Sequence, residues 1–400
     1  MLSLSPDLLL LRWLPALLVL ALITPAPLHA DELILAPSIS LREEYNDNVF
    51  AVTSGRQSDY ITTVSPSLSV SQRTENAKGF LSGGVNSLHY LQDTKGSAAG
   101  YFLKGAGNYS PTGRFSFFTD LGFARDSNAS SIDPVTSLVV SSRTEHQDYR
   151  LGGKYQISEL ASASLDFNFG RDRYDSPAYL DTSRYQGSAT INYRPGSLSP
   201  GTFLAPQLTF RRDSTDLSQV DNLSATLGVS KELNELWALS LSAGGRFTRS
   251  EFRPSRTSGW VTGDDRGALG GLSLTYSGER LSGTVALSHA LTSASGRSGA
   301  TQLTGGRLSL SEKFTSELSG SLTAGYAWNR SGLNQFSGEK VDERSRNLSG
   351  SLYYRIFDAP RDLSLEARYS YHNTQYRLSG TEMVQNSVML LLNWQHDMFR

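Results

Sequence analysis

The chain has 400 residues, of which 37 are basic and 38 acidic, for a formal net charge of −1, and it contains no cysteine. Near-neutrality gives no electrostatic case for nucleic acid as a partner, and the lack of cysteine excludes disulfides, thiolate metal sites and a lipid-anchored N-terminal cysteine. Charged residues at 19% are scarce for a soluble domain, yet a mean hydropathy of −0.31 is far too low for a bundle of membrane helices, whereas strands alternating between lipid and water average to such a value.

Residues 1–30 read as a secretory signal peptide. Arg12 precedes an apolar run from Trp13 to Ile23, interrupted by Pro15, and Pro25, Pro27 and the small Ala30 follow. The run is shorter than the roughly 20 residues of a membrane-spanning helix. Cleavage is expected after Ala30, although Leu28 stands where a small residue is preferred. Residues 31–400 then form one unit on the far side of the inner membrane.

From Leu33 onward the apolar residues keep one parity within short segments, as strands with one apolar and one polar face require. The first segments are Leu33–Tyr45, Asp59–Arg73, Phe80–Gln92 and Gly100–Ser110, with the third blurred by Gly83 and Gly84. Phe115, Phe117, Leu121 and Phe123 form the next row, and a long connection spans Ser127–Arg143. Rows at Tyr149–Ile157 and Ala163–Phe169 lead to Ser183–Arg194, where Tyr185, Gly187, Ala189, Ile191 and Tyr193 face one way and the polar residues the other. Further rows run through Leu204–Phe210, Leu223–Val229, Trp237–Phe247, Leu272–Tyr276 and Leu281–Leu291. Thr301–Leu310 breaks parity between Leu303 and Leu308, and rows at Leu318–Trp328, Leu348–Ile356, Leu363–Tyr371 and Val388–Trp394 close the chain. Short turns such as Pro111–Arg114 alternate with longer polar connections at Asn46–Ser58, Tyr174–Thr182, Ser214–Val220, Phe252–Asp265, Ser293–Ala300, Ser331–Ser345 and Asn373–Glu382.

This rhythm gives about eighteen strands, an even number that puts both termini on the turn side. Tyr101–Tyr109, Phe115–Phe123 and Tyr185–Tyr193 are aromatic pairs on the apolar parity. Their spacing covers roughly 20 Å of membrane normal at a tilt near 40°, close to the ~25 Å apolar band of an outer-membrane barrel with aromatic girdles. The pattern therefore predicts an all-β fold, a transmembrane antiparallel up-and-down β-barrel, with Leu239, Leu241, Leu322 and Leu352 facing lipid.

The sequence carries no phosphate-binding loop, nucleophile elbow or zinc-protease motif, so no catalytic residue, metal ligand or cofactor is assigned. The histidines are scattered, and His289 lies on the apolar parity near a loop, as an interface residue does. Asn46-Asp47-Asn48 has the oxygens for calcium without a completing carboxylate. The polar parity carries Arg42, Arg73, Lys104, Arg150, Lys154, Arg184, Arg194, Arg211, Arg246, Arg355 and Arg368. Its acids are Glu44, Asp59, Asp120, Asp148, Asp166, Asp172, Asp213 and Glu366. Arg150, Lys154, Arg184, Arg194, Arg211, Arg246 and Arg368 are the candidate lumen-lining cations. If they are not all neutralised, the pore prefers anions, including acidic sugars; the competing account pairs them with the acids.

Ala36–Phe50 (APSISLREEYNDNVF) and Asp59–Leu68 (DYITTVSPSL) resemble the opening of a β-barrel porin family described as outer-membrane proteins of exopolysaccharide or exosortase-associated loci. The resemblance covers about the first forty mature residues. The chain departs from the usual barrel ending, because Arg400 follows Phe399, which is out of phase with Trp394. The resemblance implies a passive aqueous pore in the outer membrane of a Gram-negative bacterium, serving polysaccharide export. Expected partners are outer-membrane lipid and lipopolysaccharide, acidic polysaccharide or small anionic solutes, and the barrel-assembly machinery. The alternatives are a non-conducting structural or accessory barrel of a secretion system, and a barrel-embedded lipid-modifying enzyme.

Overall fold

The computed structural model describes residues 32–398 except 93–96, 127, 129, 134–135, 138, 197–199, 254–258, 294–298, 334, 337–339 and 359. The expected signal peptide and its cleavage point, and Phe399 with Arg400, lie outside the described residues.

The described chain is nearly all strand. β1 (Glu32–Asn46), β2 (Asp59–Arg73), β3 (Ala77–Tyr90), β4 (Ala98–Thr112) and β5 (Phe115–Arg125) precede a short ribbon of β6 (Ser131–Ile132) and β7 (Val139–Val140). Then come β8 (Thr144–Ser158), β9 (Ala161–Tyr174), β10 (Thr182–Tyr193), β11 (Thr202–Thr215), β12 (Ser218–Glu232) and β13 (Trp237–Phe252). β14 (Val261–Ser277), β15 (Leu281–Ser293), β16 (Ala300–Lys313), β17 (Leu318–Ser331), β18 (Val341–Phe357), β19 (Arg361–Tyr376) and β20 (Thr381–His396) complete the chain. All but β6 and β7 pair antiparallel, each with its neighbours in sequence, in one sheet of 18 strands.

The sheet closes on itself. β1 pairs with β20 as well as β2, with Ile39 opposite Trp394 and Tyr45 opposite Val388. Closure leaves the sheet no free edge strand, which a wall in hydrocarbon requires. Among the described residues no helix is long and apolar enough to cross a membrane; the strands supply the wall.

Two parities make two faces. Leu223, Leu227, Leu241, Leu287, Leu322, Leu352 and Leu390 are exposed on the outside. Aromatic residues pair across strands at both edges of this band. On the turn side Phe115 meets Tyr155 at 4.6 Å between ring centres and Trp237 meets Tyr276 at 5.0 Å. On the loop side Tyr45 meets Tyr60 at 5.1 Å and Phe169 meets Tyr185 at 5.0 Å. His289 also lies on the outer parity, between Thr304 Oγ1 at 2.7 Å and Gln302 Nε2 at 2.8 Å.

The register resolves the two broken parities. Leu68 faces lipid, and the β2–β3 register sets Gly83 opposite it and Leu81 opposite Val70, so Phe80, opposite Ser71, points into the lumen. Likewise Leu308 pairs with outward Val285, which turns Leu303 inward, where it is 8% exposed.

The loop-side connections are shorter than the alternation suggests. The expected loop Ser214–Val220 is a two-residue link between β11 and β12, and Asn373–Glu382 shrinks to four residues after β19. The reason is that strands rise past the lipid, where both faces become polar and alternation no longer marks a strand.

Candidate pore lining and constriction

The barrel's apolar clusters lie inside its loop-side end, where loops fold inward over the wall. Val49, Ile61, Leu88 and Tyr90 form one cluster, and Ala51, Val139 and Met383 another. In a third, Phe336, from the connection after β17, packs with Val220, Phe252, Leu291 and Ala300.

The segment between β5 and β8 reaches farthest. Its ribbon ends in a turn held by Asp133, whose Oδ1 accepts from Thr136 N at 2.7 Å. Thr136 is 1% exposed, and its carbonyl accepts from Asn329 Nδ2 of β17 at 2.6 Å. Ser345 Oγ of β18 donates to the Ser137 carbonyl at 3.0 Å. β17 lies half-way round the closed strand order from β8. The segment therefore crosses the lumen and is fastened to the opposite wall. On the way Ser130 Oγ and Ser141 Oγ donate to the carbonyls of Val49 and Phe50, binding this segment to the connection after β1. That connection is anchored in turn: Asn48 Nδ2 donates to the Val384 carbonyl at 2.9 Å and Asp47 binds Asn386. Asn46 Oδ1 accepts from Asn48 N at 2.9 Å and Asn48 Oδ1 from Val52 N at 3.1 Å, so the side-chain oxygens of Asn46, Asp47 and Asn48 are engaged in hydrogen bonds, and no metal-ligating cluster occurs among the described residues.

The charged lining concentrates on one arc. Arg150, Lys154, Arg184, Arg211 and Arg246 lie on β8, β10, β11 and β13 with inward parity, whereas Arg368 is on β19, away from that arc. Arg194 follows the last residue of β10 at the turn-side rim, its guanidinium 4.6 Å from the Phe203 ring centre. Most of these cations have acids. Arg150 meets Asp166 at 2.6 Å, and Arg211 grips Asp213 with two bonds of 2.6 and 3.0 Å. Arg184 lies 3.8 Å from Asp172 and 3.7 Å from Asp213. Arg246 binds Asp265 at 2.9 Å under the Phe336 ring and is only 6% exposed, so it does not line open lumen. Arg368 pairs with Glu366 at 2.6 Å. Beside the arc, His146 sits between Asp172 at 2.7 Å and Asp126 at 3.1 Å.

Three inward phenylalanines form a feature that the hydrophobic pattern concealed. Phe102 lies directly across from Gly84, and Phe118 from Gly152. A Cβ on Gly84 would come within 2.8 Å of the Phe102 ring, and one on Gly152 would overlap the Phe118 ring. Each ring therefore lies flat along the wall over its glycine, a packing that repairs the gap a glycine leaves in a sheet. Lys104 and Arg150 ride over Phe102 and Phe118 at 5.8 and 4.8 Å. With Phe80, Asp120, Asp148 and Asn168, these two cations line a recess of about 480 Å³. The sequence signal was present: Phe102 and Phe118 occupy the polar parity of strands whose other face is apolar.

The fold is that of an outer-membrane porin barrel, whose width class leaves an aqueous channel unless loops fill it. Pseudomonas aeruginosa OccK2 (OpdF) superposes with a TM-score of 0.50 at 12% identity, covering 93% of this chain and 99% of that chain. Pseudomonas aeruginosa OccK9 (OpdG) does so with a TM-score of 0.50 at 10% identity, covering 92% and 99%. At such identities the likeness speaks for the fold. No family model matches the sequence, and no curated protein is detectably similar to it.

Proposed function

We propose that the protein is a passive, non-catalytic outer-membrane pore for small polar and charged solutes, narrowed by the 126–143 segment. The observation that carries this reading is the fastening of that segment, through Thr136 and Ser137, to the far wall of a closed barrel. A charged arc and flat aromatic rings then face the solute on the remaining wall. Planar-bilayer recordings test the reading: single-channel steps are expected from the purified barrel, and a barrel that inserts without conducting favours a structural or accessory role.

The finer reading, a pore serving exopolysaccharide export, rests on the resemblance of residues 36–68. In this reading acidic polysaccharide or small anionic solutes pass the Lys104–Arg150 recess. Loss of polysaccharide from the medium on deleting the gene, with restoration by the intact gene, is its test. The proposed maturation is cleavage after Ala30, delivery to the outer membrane by the barrel-assembly machinery, and residence among lipopolysaccharide. N-terminal sequencing of outer-membrane material is expected to start at Asp31; a start at Met1 overturns it.

A further inference from the structure

Arginines decorate the outer face where the strands rise past the loop-side aromatics, and four of them are neutralised within the protein. Arg125 meets Asp175 at 3.1 Å, Arg173 meets Glu145 at 3.4 Å, Arg212 meets Asp221 at 2.6 Å and Arg249 meets Glu251 at 3.4 Å. β17 and β18 differ. Trp328 is directly across from Arg344, and Tyr326 from Arg346, all on the outward parity with Arg330. The guanidinium carbons of Arg330 and Arg344 lie 5.8 and 5.1 Å from the Trp328 ring centre. Asp342, across from Arg330 in the register, accepts the indole N–H at 2.9 Å. Among the described residues Arg330, Arg344 and Arg346 have no carboxylate within ion-pair distance. On the next strand Thr304 and Gln302 lie opposite Trp328 and Arg330 and add polar groups to the patch.

The height of this patch is set by chain geometry. From Leu318, at the turn-side end of β17, to Trp328 the strand climbs roughly 25 Å along the membrane normal at ~3.3 Å per residue and a tilt near 40°. Trp328 therefore sits at the outer edge of the apolar band, with exposed Tyr326 and Leu348 just below it. Three guanidinium groups against the single carboxylate of Asp342 leave an excess of positive charge at headgroup depth, which is costly unless an anion meets it. Stacking on an indole helps to hold the cations and leaves their charge intact. The anion available at that depth on the loop side is a headgroup phosphate, whose oxygens match the planar guanidinium fork.

We propose that Arg330, Arg344 and Arg346, gathered round Trp328, bind the phosphate of a phosphorylated glycolipid in the outer leaflet. The site is independent of the pore reading and needs only the barrel's place in the membrane. To test it, the full-length barrel in detergent is mixed with diphosphoryl lipid A, with the same lipid stripped of its phosphates, or with inorganic phosphate, and adducts are measured by native mass spectrometry. Diphosphoryl lipid A is expected to bind, and excess inorganic phosphate is not expected to displace it. The triple variant Arg330→Gln, Arg344→Gln, Arg346→Gln should bind it roughly 100-fold more weakly, since each arginine adds to the attraction for an anionic lipid. A comparison variant, Arg212→Gln with Arg249→Gln, should bind it as the wild type does. Equal binding of the stripped lipid, unchanged binding by the triple variant, or displacement by inorganic phosphate alone each overturns the proposal. If the triple variant fails to fold, the wild-type comparison of phosphorylated and stripped lipid still decides.

Discussion

Phe118 and Gly152 face each other across β5 and β8, and the ring occupies the space that any side chain at 152 would need. Gly152→Ala should push the ring into the lumen, free Arg150 from its stacking partner and cost about 1–3 kcal/mol, as overpacking does. Urea titration of the folded barrel in vesicles measures the cost, and an unchanged midpoint would show that the ring is not seated on the glycine. Parity gives a second prediction at this scale. Leu322 is exposed on the lipid face, and Ser321 beside it turns inward to Ser351 at 2.9 Å. Leu322→Arg should destabilise the barrel by roughly 2–4 kcal/mol near the midplane, while Ser321→Arg costs far less. Equal costs would mean that the register is wrong. The lipid face was legible because apolar side chains there have one requirement, contact with hydrocarbon. Phe80, Phe102 and Phe118 were not, because an apolar residue on the polar parity reads as noise until the register sets Phe102 and Phe118 opposite glycines.

Strand existence was legible where a segment crosses lipid, and strand length was not. β14 shows alternation only at Leu272, Leu274 and Tyr276, although it runs from Val261 to Ser277. Its residues 262–267 are polar or glycine on both faces, as a wall with water on both sides is. The same blindness covers the segment between β5 and β8. Its residues carry no period, and its fate is decided by distant partners: Asn329 on β17, Ser345 on β18 and Met383 on β20. Removing those partners should release it. Asn329→Ala leaves the buried Thr136 carbonyl without that donor, at a local cost of about 1–3 kcal/mol. Replacing residues 130–141 by a short Gly-Ser linker should raise single-channel conductance, since the segment no longer crosses the lumen. Asn329→Ala should produce a noisier open level as the segment loosens. A linker variant that conducts like the wild type would place the narrowest point elsewhere.

At the scale of the whole barrel the question is how much field the lining leaves in the pore. The inward parity carries more cations than acids, which favours anions, but parity alone does not say which charges meet. The structure pairs Arg150, Arg184, Arg211, Arg246 and Arg368 with carboxylates, and Asp265, the partner of Arg246, was not among the expected acids. Paired charges a few ångströms apart cancel beyond a Debye length of ~10 Å at 0.1 M salt. The wild-type pore should therefore show a weak selectivity, with a reversal potential near zero under a salt gradient. Replacing Arg184, Arg194, Arg246 and Arg368 together by Gln removes a positive charge at each position and leaves Asp265 and Glu366 without their basic partners, while Asp172 keeps only His146. Those carboxylates then dominate the lining, so the variant should become cation-selective, most strongly at low salt where screening is least. Two results would count against this account. A strongly anion-selective wild type would mean that exposed Lys104, Lys154 and Arg194 outweigh the pairs. A variant whose reversal potential does not move would mean that permeating ions never pass the charged arc of β8 to β13.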